Sequence, residues 1–173
     1  MITAQAKGFE LIQLKKRLDA LVKAGKPLVV AGITEGPVLE YAPIQEFGGT
    51  INVTEKMRGF LGAMYGIHLR KTTKTISIPS RPFLRTTWKR NNGKWSEYLA
   101  RALRAGQSPR MALELVGTMM EDDIRKTLDS NLPPPNSEAT TRIKEQEAPT
   151  SVGRTLYFKG ELYKSITHEV HDK

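Results

Sequence analysis

The stretch Ile76-Ser77-Ile78-Pro79-Ser80-Arg81-Pro82-Phe83-Leu84-Arg85 constrains the fold more than any other. Ile76 and Ile78 alternate with Thr75 and Ser77, the period of a half-buried strand. Pro79 ends that strand, because proline has no N–H to give to a ladder. Pro82 then restricts Arg81 to extended geometry. Phe83 and Leu84 supply apolar anchors, and Thr86-Thr87-Trp88 is expected to begin a helical run. The chain must therefore turn a sharp corner between a strand and a helix.

Upstream, Phe9 to Ala24 places Leu11, Leu14, Leu18, Leu21 and Val22 on one helical face, with Gly25 as cap and Pro27 as stop. Pro27 to Ile33 is apolar and β-branched, a strand expected to be buried on both faces. Val38 to Phe47 suits a small helix, with Pro43 in its first turn and Gly48-Gly49 at its end. Ile51-Asn52-Val53 alternates as a strand and is expected to pair with Thr75 to Ile78. Residues 54–74 then become an excursion longer than an ordinary hairpin loop. Met57, Phe60, Leu61 and Met64 have helical spacing there, although Gly59, Gly62 and Gly66 weaken a helix. It either folds back on its own domain or is a flap for a neighbouring subunit.

Downstream, Asn91-Asn92-Gly93 reads as a turn before a helix striped by Trp95, Leu99, Ala102 and Leu103 and ending near Gly106. Ser108-Pro109 is a strong start for a helix to Leu128, with Leu113, Val116, Met120, Ile124 and Leu128 on one face. Glu121 with Arg125 and Asp122 with Lys126 have ion-pair spacing on the other. Such a helix normally covers a sheet. Leu132 to Ser137 is an extended connector ending in an N-cap. Thr140 to Val152 is polar without clear period, so the segment at 140–156 is expected to be mobile. Gly160 to Lys164 reads as a helical turn, and Ser165 to Val170 as a last strand with Ile166, His168 and Val170 on one face. The fold class is α+β: a small, mostly antiparallel sheet flanked by an N-terminal helix and a long helix. One domain is expected over 1–173, with the excursion at 54–74.

The formal charge of +9 is concentrated. Between Thr54 and Lys94, Lys56, Arg58, Arg70, Lys71, Lys74, Arg81, Arg85, Lys89, Arg90 and Lys94 face the single acid Glu55, a net of nine. The other 17 basic and 17 acidic residues cancel. A patch this concentrated reads as a surface with a partner. One partner is nucleic acid, with Trp88 and Tyr65 as stacking residues.

Evidence for chemistry is absent. Without cysteine there is no disulfide, thiolate metal site or thiol nucleophile. His168 and His171 are three apart on a strand and point to opposite faces, whereas the zinc-protease pattern needs a spacing of four on a helix. Glu121-Asp122-Asp123 diverge on a helix, Gly25-Lys26 lacks the glycines of a phosphate loop, and no serine, histidine and carboxylate set stands out. No catalytic residue, metal or cofactor is expected. The lack of a long apolar run or a basic-then-apolar leader predicts a soluble chain with no membrane partner.

Tyr41-Ala42-Pro43-Ile44-Gln45-Glu46-Phe47-Gly48 followed by Ile78-Pro79-Ser80-Arg81-Pro82-Phe83-Leu84 resembles the paired A-x-x-x-E-F-G and I-P-x-R-P-F-L signature of the virion-morphogenesis and tail-completion family of Mu-like and related tailed phages. Pro134-Pro135-Asn136-Ser137-Glu138-Ala139-Thr140 resembles its P-P-N-S-x-x-T, and Gly160-Glu161-Leu162-Tyr163-Lys164-Ser165-Ile166 its G-x-L-x-x-S-I. Where the family has L-I-D-T before that last glycine, this chain has Leu156-Tyr157-Phe158-Lys159. The resemblance implies a noncatalytic virion protein at the head-proximal end of the tail or in the neck, assembled in the host cytoplasm as a ring, usually hexameric. Its implied partners are its own copies and neighbouring neck, tail-tube or tail-terminator proteins, with nonspecific contact to DNA in the channel. The residues expected to carry assembly contacts are Glu46, Phe47, Arg58, Phe60, Arg70, Lys71, Lys74, Arg81, Phe83 and Arg85.

Overall fold

The computed structural model describes residues 27–171; the helix expected at Phe9 to Ala24 lies outside them. In chain order come β1 (Leu28–Gly32), a 3-10 turn (Pro37–Glu40), α1 (Ala42–Phe47), β2 (Gly49–Asn52), α2 (Glu55–Tyr65) and β3 (Thr75–Ile78). They are followed by α3 (Phe83–Arg104), α4 (Pro109–Asp129), α5 (Glu138–Glu147), a 3-10 turn (Pro149–Ser151), α6 (Glu161–Lys164) and β4 (Thr167–His171).

The fold is α+β, and its antiparallel strands form two separate ribbons. In one, β1 pairs with β4, setting Ala31 opposite His168. In the other, β2 pairs with β3 as the alternation predicts, setting Ile51 opposite Ile76. The first ribbon packs on α4, and α3 runs back along α4. Leu28 to Ala31 are half-buried, and not buried on both faces as expected. Phe83, Ile124, Leu128, Leu132, Leu156, Leu162 and Ile166 form the core with Val38 and Ala42. It is closed by segments far apart in sequence.

Three local expectations are corrected. Asn91-Asn92-Gly93 is not a turn but the middle of α3. Asn91 Nδ2 donates to Thr87 O at 3.0 Å and Asn92 Nδ2 to Trp88 O at 2.8 Å, so both amides find acceptors inside the helix. Packing then overrides propensity: Trp95 is buried and its indole donates to Asp123 Oδ2 at 2.8 Å, while Leu103, placed in the same stripe, is 42% exposed. The polar segment after Thr140 belongs largely to α5, capped by Ser137, whose Oγ accepts from Thr140 N at 3.2 Å. It shows no clear apolar period because its most buried side chain is a lysine, Lys144. Finally, Glu121 pairs with Arg125 at 2.9 Å, but Asp122 is exposed and Lys126 lies 4.0 Å from Asp123 instead.

Candidate assembly surface

The corner is closed by Glu46. Helix α3 begins right after Pro82, and no side chain of its own first turn caps it. The first N–H groups of a helix need acceptors and favour negative charge. The Glu46 carboxylate, 4% exposed, supplies both, accepting from Leu84 N at 2.9 Å, Arg85 N at 3.1 Å and Arg85 Nε at 3.0 Å. Arg85 Nη2 and Ser80 Oγ donate to Glu46 O, and Arg81 N to Gln45 O. The Arg85 guanidinium also lies 4.7 Å over the Phe47 ring. Gly48 has φ 72°, and a Cβ there would sit 2.8 Å from Ser80 N, so the close approach requires glycine. The E-F-G and I-P-x-R-P-F-L segments are two halves of one joint.

Arg81 ties that joint to the proline connector. Its Nε donates to Pro134 O at 2.9 Å and its Nη2 to Pro135 O at 3.1 Å. Lys144 nearby donates to Tyr157 O at 2.6 Å, to Arg154 O and to Ser151 O. Burial pulls the pKa of both cations down, and the charges of Arg81 and Arg154 pull Lys144 further. Asn136 Nδ2 donates to Arg154 O at 3.1 Å. The third motif thus meets the first two at one place, and Leu162 and Ile166 of the fourth lie in the core beside Phe83.

This arrangement corrects the expected assembly contacts. Glu46, Arg81 and Phe83 are 4%, 6% and 0% exposed; Glu46 and Phe83 are enclosed within the chain, and Arg81 holds the connector through Nε and Nη2. Arg85 is anchored on Glu46, though its side chain stays 57% exposed, and Phe47 is half-buried beneath it.

The residues of the excursion behave differently. Helix α2 starts at Thr54, whose Oγ1 accepts from Met57 N at 3.1 Å, and ends at Gly66 in the left-handed conformation. It has no buried residue. Arg58 is internal to this arm, donating to Leu69 O and Arg70 O at 2.8 Å and to Thr73 O at 3.1 Å, which clamps the returning loop to the helix. Phe60 and Met64 are 53% and 54% exposed. Two polar contacts tether the arm to α5: Tyr65 Oη to Glu147 at 3.3 Å and Arg142 Nη1 to Gly66 O at 3.3 Å.

The charge patch therefore divides. Arg58, Arg81, Arg85 and Lys94 are engaged within the chain, Lys94 by Asp123 at 2.5 Å. Lys56, Arg70, Lys71 and Lys74 on the arm, with Lys89 and Arg90 on α3, are exposed and form no ion pair among the described residues. Trp88 stands next to the latter pair, exposed, with an edge-to-face contact to Trp95.

Two clusters escaped the sequence reading. Asp123 is buried between Lys94 and Trp95, although its neighbours Glu121 and Asp122 made it look like part of a solvated run. The His168 ring bridges Glu121 at 2.5 Å and Glu114 at 3.2 Å, lying so close over α4 that a Cβ on Gly117 would be 2.1 Å away. A lone glycine inside a long helix was the available signal.

A cleft of about 480 Å³ opens between β3, the proline connector, α5 and the segment before α6. Among the described residues no helix is long and apolar enough to cross a membrane, and no three or more His, Cys, Asp or Glu residues form a group that could hold a metal ion. No family model, curated protein or solved structure matches the chain.

Proposed function

We propose that this chain is a noncatalytic structural virion protein of a tailed phage. It forms part of a ring, hexameric by the resemblance, at the head-proximal end of the tail or in the neck, and is needed for tail completion and head–tail joining. The arm carries this reading: α2 buries none of its side chains, presents Phe60 and Met64 to solvent, and stands on a ribbon whose two strands pair only with each other among the described residues. Apolar surface and free strand edges are liabilities for a monomer and contacts for a ring subunit, whose head-to-tail interface joins unlike faces. The exposed cations of the arm suit carboxylates on the next chain. The four motifs of the resemblance also converge, their residues holding the joint, the connector and the core. That is the behaviour of a fold signature.

Deleting the gene should leave filled heads with separate tails, or tails of abnormal length, and normal DNA replication. A failure to replicate or package DNA would refute the proposal. The second reading, nucleic-acid binding, has Trp88 beside Lys89 and Arg90 in its favour. DNA titration at about 50 and 200 mM salt separates the two, because each phosphate contact releases counterions. Affinity of roughly 10⁻⁴ to 10⁻⁶ M at physiological salt, the nonspecific range, is expected. Nanomolar, sequence-selective binding would favour the second reading.

A further inference from the structure

The cleft beside β3 has features that neither the joint nor the arm uses. Four successive residues of β3 and its end, Ile76 to Pro79, line it. Side chains on a strand alternate between faces, so a wall made of consecutive residues is an edge and not a face. Among the described residues β3 pairs only with β2, which leaves that edge without a strand partner. Ile143 on α5 and Leu156 add apolar surface.

Its charge is unbalanced. Arg81, Lys144 and Lys159 line the cleft against the single carboxylate of Glu161. Lys159 already has Glu147 at 3.6 Å, and the three hydrogen bonds of Lys144 all go to carbonyl oxygens. Arg81, 6% exposed, spends Nε and Nη2 on carbonyls and meets no carboxylate. Among the described residues its Nη1 has no hydrogen-bond partner, and it keeps contact with solvent. A buried guanidinium with one free nitrogen is a strong, directional donor site for a carboxylate.

We propose that this cleft binds an extended segment of a partner polypeptide, with a carboxylate side chain at Arg81 Nη1 and backbone alongside the open edge of β3. Strand addition supplies main-chain hydrogen bonds, while pockets for alternate side chains supply selectivity. The preferred segment alternates acidic and apolar residues, so that the acid meets Arg81 and its neighbours meet Ile143 and Leu156. The cleft volume lies within the ordinary range for ligand sites. This goes beyond the ring: it assigns a second docking surface, recognised by an acidic strand and separate from the arm.

The test uses the isolated full chain and needs no phage assembly, so its failure is distinguishable from failure of the ring reading. Acetylated, amidated hexapeptides alternating Val with Glu, Gln or Lys are titrated by fluorescence anisotropy and by NMR shift mapping. The Glu peptide is expected to bind at least about tenfold tighter than the Gln peptide, the worth of one charge-assisted bond, with shifts centred on Ile76 to Pro79 and Ile143. Ile143→Glu, which sets a like charge in the cleft without touching Arg81, should weaken the Glu peptide by at least about tenfold and leave the circular dichroism unchanged. Equal affinity for the three peptides, shifts centred on α2, or complete competition by millimolar acetate would each overturn the proposal, the last by reducing the cleft to a simple anion site. Self-association that occupies the cleft before peptide is added would overturn it in favour of a second copy as occupant.

Discussion

The Glu46 joint and the β2–α2–β3 arm meet at Gly48 and Gly49, yet they spend the same residue types in opposite ways. In the joint, charge is internal: Glu46 caps α3, Arg81 binds proline carbonyls, and Arg85 closes over Phe47. In the arm, Arg58 alone of the basic residues is turned inward, while Lys71 and Lys74 stay exposed and Phe60 and Met64 face water. Lys71 and Arg81 belong to one basic run in the sequence, and one is exposed while the other is buried, only 6% exposed. Density of charge along a chain thus marks where cations are needed without saying whether they face a partner or the protein's own carbonyls.

The contrast is testable, beginning with the largest effect. Phe83→Ala should cost about 3–5 kcal/mol in urea unfolding, since the ring is fully enclosed at the joint. A variant of wild-type stability that fails only in assembly would move Phe83 to an interface and erase the distinction. Glu46→Ala should cost about 1–3 kcal/mol, because it strips the acceptors from Leu84 N and Arg85 N. Amide exchange should show the loss first at the start of α3; uniform loss along the chain would argue against a capping role.

Acid should loosen the frame where α4 meets β4. Burial alone would raise the pKa of Glu121, but hydrogen bonds from His168 and Arg125, with their charges, outweigh it and leave the pKa below its ordinary value. The unfolded chain then takes up this proton first as pH falls. The stabilisation is complete above the unfolded-state pKa and is lost as pH drops through the folded-state one. Glu121→Gln should flatten the acid limb of the stability curve, and an unchanged limb would show that Glu121 is not responsible. The smallest effect on stability belongs to the arm. Phe60→Ser with Met64→Ser should change monomer stability by less than about 0.5 kcal/mol and abolish head–tail joining. Marked destabilisation of the isolated chain would place α2 on its own domain instead.

Much of the frame was legible. The helix from Ser108, the pairing of residues near Ile51 with Thr75 to Ile78, the small helix opened by Pro43 and the turn at Gly160 all follow from capping, alternation and proline placement. These are local signals, satisfied within a few residues. The continuity of α3 through Asn91-Asn92-Gly93 was not legible, since its cause is the fit of Trp95 against Asp123, 28 residues away. Nor was α5, whose anchor is a lysine bound to carbonyls of a later turn.

The sequence by itself determined the α+β class, most element types, the corner at Pro79 to Pro82 and the concentration of positive charge. Only the tertiary structure decided which charges are spent inside. Glu46 became a cap because a helix with no capping side chain of its own begins within reach of it, and Arg81 a strut because the connector's carbonyls come within 3.1 Å. A carboxylate or guanidinium carries no mark of its future partner in its local sequence. Its role is set by desolvation and by whichever polar groups the folded chain brings near enough to offset it.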